Sequence, residues 1–172
     1  MDQEETYKAL KAFRDYVVKQ ARFNLTKQGK KSSGKLYESI DGEVKAMPNS
    51  IGIYFEMEQY GAFQDKGVNG TQRSWGAPYS FKNKIPPMSK LDKWIVRKGI
   101  APKDKEGRFI KRKSLQFLIA RSIFRKGIKP SLFFTKAFES AYKKLPSELI
   151  DKYGLDVEEL VTQALKEISK KK

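Results

Sequence analysis

Two glutamates, Glu56 and Glu58, come closest in type and spacing to an acid–base pair in this sequence. The chain contains no histidine and no cysteine, so imidazole bases, imidazole metal ligands and thiolate nucleophiles are excluded. Carboxylates two residues apart on a strand point to the same face, where they could act as acid and base or bind Mg²⁺. A solvated strand face accounts for the same spacing. We therefore expect no enzymatic activity, no cofactor and no bound metal.

The chain is strongly basic, with 36 Lys and Arg against 20 Asp and Glu and a formal charge of +16. A charge of this size bears on association and solubility, not on fold. Three explanations fit it: binding to nucleic acid, binding to an acidic protein, or solubility of a protein that waits before assembly. The candidate contacts with a polyanion are Lys103, Lys105, Arg108, Lys111, Arg112 and Lys113. A second basic patch consists of Lys27, Lys30, Lys31 and Lys35.

The composition is that of a folded protein of one domain. Of the 172 residues, 39% are apolar and 12% aromatic, which is enough to build a core. No apolar run approaches the roughly 20 residues that a membrane-spanning helix requires. The first residues, MDQEETYKAL, are acidic and polar, unlike a secretory or transit signal. We therefore expect no membrane association.

The order of elements predicts an α+β fold, in which a long N-terminal helix packs on a small antiparallel β-sheet and further helices follow towards the C-terminus. Apolar residues at spacings of three or four predict the first helix over residues 3–27. Its apolar stripe consists of Leu10, Phe13, Val17, Ala21 and Leu25. The segment SGKLYESI (33–40) predicts a short helical turn with Leu36 and Ile40 on one face.

Alternating apolar residues on both sides of the turn Pro48-Asn49-Ser50 predict a β-hairpin. The next segment, YGAFQDKGVNGTQ (60–72), mixes aromatics with glycines and predicts a strand or turn that becomes a loop. Within it we expect Asp65 to form a turn and not to ligate a metal. Residues 71–88 contain three prolines among aromatic residues and predict an irregular segment.

Two short sequences, WIVRKGIAP (94–102) and SIFRKGIKP (122–130), share the pattern I-x-R-K-G-I-x-P. Each follows an apolar-periodic segment, and a basic last turn followed by Gly, Ile and Pro is typical of a Schellman helix stop. We interpret Gly99-Ile100 and Gly127-Ile128 as two helix terminators. The similarity does not extend beyond them, so an internal repeat is not indicated.

The starts of these two helices are predicted from capping residues. Ser89-Lys90-Leu91-Asp92 fits a capping box for the first helix, and Ser114 can cap the second. The buried stripe of the second helix is expected at Leu115, Leu118, Ile119 and Ile123.

A helix opened by Pro130 and Ser131 is predicted next, with a wide aromatic face around Phe133, Phe134 and Phe138. We expect this face to be buried against the sheet or against another subunit. Two further helices are predicted in residues 146–172.

Three segments stand out by their order and spacing. SGKLYESI (33–40) is similar to S/T-G-x-L-x-x-S-I, YGAFQDKG (60–67) to Y-A/G-x-F/Y-x-E/D-x-G, and GIKPSLFFTKAF (127–138) to a closing proline–aromatic–helix segment. In this order they resemble the small head–tail connector, or tail-completion (neck), proteins of tailed bacteriophages. The likeness covers about residues 5–145.

This resemblance implies a virion structural protein, assembled in the host cytoplasm, that forms a homomeric ring at the head–tail junction as neck, adaptor or tail terminator. Its partners would be the portal or connector and the tail proteins, and DNA would pass through the lumen without sequence readout. Residues 1–145 would form the family domain, with 71–113 as a long insertion and 146–172 as a helical extension. The candidate interface residues are Tyr60, Phe63, Gln64, Asp65, Trp75, Tyr79, Phe81, Phe109, Phe133 and Phe134.

The alternative is a basic DNA-binding accessory protein whose loops contact phosphates. It predicts tight binding to duplex DNA that weakens steeply with salt. No aromatic RNA-binding signature and no recognition-helix pattern accompanies the basic residues. A flexible basic loop that is merely solvated would have the same composition, so both interpretations stay open at this point.

Overall fold

The structure is a computed structural model that describes residues 3–47, 50–153 and 156–170. Within these ranges the chain is an α+β protein with eight helices and two antiparallel two-stranded sheets. In chain order the elements are α1 (Gln3–Lys27), α2 (Lys35–Ser39), β1 (Asp41–Met47), β2 (Ser50–Glu56), α3 (Tyr60–Lys66), β3 (Val68–Asn69), α4 (Ser89–Arg97), α5 (Arg112–Lys126), β4 (Gly127–Ile128), α6 (Phe133–Tyr142), α7 (Ser147–Tyr153) and α8 (Val157–Lys170). Pro48 and Asn49 of the predicted turn lie outside the described residues.

The chain divides into two compact units. Residues 1–65 and 132–172 form one of them, which we name the discontinuous unit. Residues 66–131 form the other, which we name the inserted unit because its sequence interrupts the first. The domain boundaries expected from the sequence, at residues 71, 113 and 145, stay predictions.

The long helix α1 organises the discontinuous unit. Its predicted apolar stripe is buried along the helix, from Leu10 at 8% exposure to Leu25 at 1%. The stripe packs against the hairpin β1–β2 and against α6. The predicted α+β class, with a long N-terminal helix on a small antiparallel sheet and further helices towards the C-terminus, is therefore confirmed.

The aromatic face of α6 completes this core. Phe133 and Phe134 are fully buried, and the rings of Phe134 and Phe138 lie 5.4 and 5.8 Å from that of Phe55 in β2. Phe13 of α1 lies edge-on to Phe138 at 5.0 Å. Burial of each such ring contributes about 1.5–3 kcal/mol, and each edge-to-face pair about 0.5–1.5 kcal/mol more. The aromatic face was expected to be buried either against the sheet or against another subunit, and in the structure it packs against the sheet.

The hairpin and the two C-terminal helices also form where they are predicted. β1 and β2 pair so that Val44 lies opposite Ile53, and Val44 is buried. Leu149 of α7 and Leu165 of α8 are buried in the same unit. A mostly apolar cavity of about 460 Å³ lies among α1, β2, α6, α7 and α8. None of the helices described between residues 3 and 170 is long and apolar enough to cross a membrane.

The helix α3 replaces the strand or turn predicted for the first part of residues 60–72, so the prediction is wrong there. The strand β3 (Val68–Asn69) follows within the same range. Glycine usually weakens a helix, but Gly61 packs closely here against the ends of two flexible side chains. A Cβ at this position would lie 2.5 Å from the Met57 sulfur and 2.8 Å from Leu36 Cδ1. Close packing between segments therefore accompanies a helix that local propensity does not favour.

The helices α4 and α5 begin differently from the prediction. No side chain caps α4, so the capping box at Ser89 is wrong. Asp92 instead accepts a hydrogen bond from Gln116 Nε2 of α5 at 2.7 Å. α5 begins at Arg112 with no side-chain cap, so Ser114 lies inside the helix. Of the residues predicted as caps, Asp92 instead links α4 to α5, and Ser89 and Ser114 are exposed to solvent.

The buried stripe predicted for α5 is correct only in part. Leu115 is buried, whereas Leu118 is 49% exposed, and Ile119 and Ile123 are half-buried. Ala120 is fully buried instead. The outward face of α5 is therefore more apolar than the sequence pattern predicts.

The end of α4 is the predicted Schellman stop. Gly99 has a φ of 62°, the N–H of Ile100 donates to the carbonyl of Ile95 at 3.1 Å, and that of Gly99 donates to Val96 at 3.0 Å. This is the paired hydrogen bonding expected of such a stop.

The end of α5 has a different structure, although its sequence matches. Gly127 has φ 74° and ψ −168°, outside the left-handed helical region, and it begins β4. There it pairs with Asn69 of β3, and Ile128 pairs with Val68. The helix ends because its chain enters a sheet, so the predicted Schellman stop is wrong at this position.

We predict that Gly127→Ala destabilises the protein far more than Gly107→Ala. Both glycines have a positive φ, but a Cβ at Gly107 meets nothing within 4 Å, whereas one at Gly127 would lie 2.5 Å from the Gly70 nitrogen. We expect a loss of about 1–2 kcal/mol for Gly107→Ala and about 3 kcal/mol or more for Gly127→Ala, since backbone strain and overpacking add. Urea unfolding of both variants measures the difference, and equal losses would contradict the close approach of β3 and β4.

Candidate functional site

Asp65 is fully buried near the end of α3. Its Oδ1 accepts hydrogen bonds from the N–H groups of Phe134 (2.7 Å) and Thr135 (3.1 Å), and its Oδ2 accepts one from the Thr135 hydroxyl at 2.5 Å. Its backbone carbonyl accepts the N–H of Leu132 at 3.0 Å. Asp65 therefore caps α6 from a distant position in the sequence, and the prediction that it forms a local turn is wrong.

The start of α6 depends on this cap. Leu132, and not the predicted Pro130 and Ser131, precedes the first turn, and it has a φ of 53°, the one positive φ among described residues other than glycine. This conformation costs about 1–2 kcal/mol. A carboxylate at the positive end of α6 is favourable and satisfies N–H groups that a helix start leaves without partners.

The three segments that carry the family resemblance meet in this region. In the discontinuous unit, Gly61 of the second segment packs on Leu36 of the first, and Asp65 of the second bonds to Phe134 and Thr135 of the third. We name this arrangement the motif cluster. It ties together residues that are up to about 100 positions apart in the chain.

Inside the inserted unit, the second and third segments are also in close contact. Gly67 has a φ of 77°, and a Cβ there would lie 2.6 Å from the carbonyl oxygen of Ile128 and 2.7 Å from Pro130 Cδ. Only glycine fits such an approach of one backbone to another. The glycine that closes the second segment therefore has a structural role.

The glutamate pair does not have the predicted geometry. Glu56 is the last residue of β2, and Glu58 lies beyond the strand, where its N–H donates to Ser39 Oγ at 2.9 Å. The two carboxylates therefore do not share a strand face. In the described parts of the chain, no group of three or more acidic side chains could hold a metal ion.

Asn69 organises the aromatic segment of the inserted unit. Its Oδ1 accepts the N–H groups of Trp75 (2.7 Å) and Ala77 (3.1 Å), and its Nδ2 donates to the carbonyl of Ala77 at 2.7 Å. The Trp75 indole N–H donates to the carbonyl of Lys126 at 2.7 Å, and the Arg73 guanidinium lies 3.9 Å from the indole centroid. The irregular segment is thus held by one amide side chain that the sequence analysis did not single out.

Asp104 has the same role in the basic loop between α4 and α5. Its Oδ1 accepts the N–H groups of Glu106 (3.0 Å) and Arg108 (2.9 Å), and Lys103 pairs with Phe109 as a β-bridge. The Arg108 guanidinium contacts both Asp104 and Glu106. The hydrogen bond from the Arg108 backbone N–H is the largest cause of the lowered pKa of the Asp104 carboxyl. Desolvation opposes it in part, and the hydrogen bonds from the Arg108 side chain and the Glu106 N–H lower the pKa further.

The positive charge of the chain is concentrated in the inserted unit. Residues 66–131 contain 18 Lys and Arg against three Asp and Glu, a net charge of +15. The discontinuous unit contains 18 Lys and Arg against 17 Asp and Glu, a net charge of +1. All but one of the 18 basic residues in the inserted unit, Lys66, are exposed.

The predicted interface residues fall into three groups. Tyr60 and Phe109 are exposed. Half-buried are Phe63, Gln64, Trp75, Tyr79 and Phe81. Fully buried are Asp65, Phe133 and Phe134. The last three build the core of the discontinuous unit, so they offer no surface to a neighbour, and we withdraw them from the candidate interface.

All six predicted polyanion contacts are exposed on the loop and the first turn of α5. Four further residues of α5 are exposed but were not predicted as contacts: Phe117, Arg121, Arg125 and Leu118, the last of which was predicted to be buried. Phe117 is 44% exposed, and the two arginines are exposed four positions apart. Their i, i+4 spacing is the signal that could have indicated one shared face.

Comparisons with protein families, with characterised proteins and with solved structures give no match to this chain.

We predict that Asp65→Ala destabilises the protein more than Asp156→Ala. Asp156 caps α8 at an exposed site, where its Oδ1 accepts the Glu159 N–H at 2.8 Å, and its loss should cost about 1 kcal/mol. Loss of Asp65 leaves buried N–H groups without a partner, at about 1–3 kcal/mol each. We expect a total near 3 kcal/mol or above, measured by urea unfolding. Asp65→Asn, which keeps an acceptor oxygen, should lose less, and a cost no larger than that of Asp156→Ala would contradict the role of Asp65.

We predict that the Asp104 carboxyl titrates below its ordinary range. Because its pKa is lowered in the folded protein, the stabilisation of this loop is complete at pH values above the ordinary pKa. It is lost as the pH falls through the lowered one. An NMR titration of the Arg108 and Glu106 amides reports this midpoint, and Asp104→Asn should abolish it. A midpoint at or above about 3.9 would contradict the hydrogen bonding described here.

Proposed function

We propose that this chain is a structural protein of a bacteriophage virion that assembles into a homomeric ring at the head–tail junction. In this role it acts as neck, adaptor or tail-terminator component, and DNA passes through the ring. The portal or connector and the tail proteins are its partners. Its activity is assembly, and the residues that matter are those that build the subunit and those that join subunits.

The observation that carries the proposal is the motif cluster. Three segments that resemble the family elements could be unrelated coincidences if they lay apart in the structure. Instead Gly61 packs on Leu36, and Asp65 bonds to Phe134 and Thr135. The resemblance therefore involves one packed structural element, and its α+β setting agrees with the fold that the family implies.

Ring closure requires two different surfaces on each subunit, because a head-to-tail contact joins one face to another. The discontinuous unit has exposed apolar residues on separate elements that fit this requirement. Phe23 is 55% exposed on the side of α1 away from the buried stripe. Tyr54 is 40% exposed on the outward face of β2, with Met47 of β1 at 41%. We assign these two faces to the contact between neighbouring subunits.

The first test is native mass measurement with negative-stain imaging at high protein concentration and moderate salt. We expect closed rings of one size, since a head-to-tail contact that closes gives a defined number of subunits. A strict monomer at every concentration would contradict the assignment of the two faces as an interface that forms without a template.

The second test uses the asymmetry of the contact. Phe23→Asp and Tyr54→Asp each place a charge on one of the two faces, and each variant alone should fail to form rings. Mixed together they should form dimers only, because each supplies the face that the other has lost. The double variant, with both faces changed, is the control and should stay monomeric. Circular dichroism must show the native fold in all three.

A further inference from the structure

The uneven distribution of positive charge along the chain favours a role in binding over a role in solubility alone. If positive charge served only to keep the protein soluble, it would spread over both units in proportion to their surface. The inserted unit holds +15 of the +16, and the larger discontinuous unit holds +1. Selection for solubility alone gives no reason for this separation. A polyanion that contacts only the inserted unit does.

The acidic residues of the inserted unit are engaged locally. Asp92 accepts the hydrogen bond from Gln116 and lies 3.6 Å from the Arg112 guanidinium. Asp104 and Glu106 both contact Arg108. Each of the three carboxylates therefore has a partner inside the unit, and with 18 basic residues against three acidic ones its surface is predominantly positive.

The basic residues are set on regular elements as well as on loops. On α4, Lys90, Lys93 and Arg97 recur at spacings of three and four, so they share one face. On α5, which contains no acidic residue, Arg121 and Arg125 are one turn apart. Charges on helices are held at fixed spacings, which suits a ligand whose charges also repeat.

Duplex nucleic acid fits this surface better than an acidic protein does. It carries one negative charge per about 1.7 Å of its axis, and its phosphates accept contacts from Lys and Arg without a matched apolar patch. Protein interfaces are depleted in lysine at their core. In the inserted unit, 12 of the 18 basic residues are lysines, and all of these except Lys66 are exposed. The chemistry of the surface therefore favours a phosphate backbone.

A single strand fits less well, because proteins bind it by stacking bases on accessible aromatic rings. In the inserted unit, Trp75 is half-buried and has Arg73 at its ring. Tyr79 and Phe81 are also half-buried. Two rings of the unit, Phe109 and Phe117, are exposed, against 17 exposed basic residues. The unit therefore provides cations for a duplex more than platforms for bases.

We propose that the inserted unit binds the phosphate backbone of duplex DNA without reading its sequence. The discontinuous unit takes no part in this contact. The proposal does not depend on ring assembly, because it rests on the charge and geometry of residues 66–131 alone.

The test is the affinity of the full chain for a fluorescent duplex of arbitrary sequence, measured by anisotropy between about 50 and 200 mM salt. Two triple variants to Gln remove charge from the inserted unit. One changes Lys93, Arg121 and Arg125, and the other changes Lys103, Lys105 and Lys111. The matched control removes the same charge from exposed positions of the discontinuous unit: Lys19, Lys136 and Lys166.

We expect tight binding that weakens steeply with salt and is equal for unrelated sequences. Each cation that contacts a phosphate should lower the slope of log K against log salt by about 1 when it is removed. At least one of the inserted-unit variants should therefore show a slope smaller by about 1–3, while the control keeps the slope of the unchanged protein.

Three results would overturn the proposal. The first is an equal loss in the control and in both inserted-unit variants, which would show a general effect of net charge. The second is stronger binding to a single strand than to the duplex. The third is equal binding to polyglutamate, which would indicate an acidic protein as the partner. Ring formation, measured separately, has no bearing on any of these outcomes.

Discussion

The hydrogen bonds that Asp65 accepts are the interaction on which the arrangement of the discontinuous unit depends. The chain leaves this unit after Asp65 and returns to it at Leu132. Asp65 accepts hydrogen bonds from the N–H groups of Leu132, Phe134 and Thr135. The point at which the chain leaves the unit is therefore bonded directly to the point at which it re-enters. A buried carboxylate is costly unless its oxygens are satisfied. The N–H groups of Phe134 and Thr135 and the Thr135 hydroxyl satisfy them, while Leu132 N–H donates to the backbone carbonyl of Asp65. The position of α6, and with it the aromatic core, follows from this one side chain.

Much of this fold could be predicted from local patterns. The stripe of α1, the turn with Leu36 and Ile40, and the alternation in the hairpin are signals read within one element. The structure departs from prediction where a distant segment decides. Gly61 indicates a loop by propensity, yet it lies in α3, where it packs closely on Leu36 and Met57. Asp65 indicates a turn, yet its partners lie 69 and 70 residues away.

The matched ends of α4 and α5 show how little a short sequence determines alone. Both have the order Arg-Lys-Gly-Ile, and both helices do end there. Gly99 has open space around it, so local hydrogen bonding sets its conformation. Gly127 lies against Val68 and Asn69 of β3, so strand pairing sets the backbone conformation of Gly127. The candidate site could also be predicted only in part. Exposed cations such as Lys103 could be named from the sequence, but the division of charge between two units could not, because tertiary contacts define those units.

The concentration of cations in residues 66–131 also affects the stability of that unit in the absence of any ligand. Like charges held close together in a folded unit repel each other more than in an extended chain, so the folded state of the inserted unit bears an electrostatic cost. Mobile ions reduce this cost, because the screening length shrinks from about 30 Å at 0.01 M salt to about 10 Å at 0.1 M. Added salt therefore stabilises the inserted unit by relieving a net repulsion that the nearly neutral discontinuous unit does not have. The melting of the two units should separate as ionic strength falls.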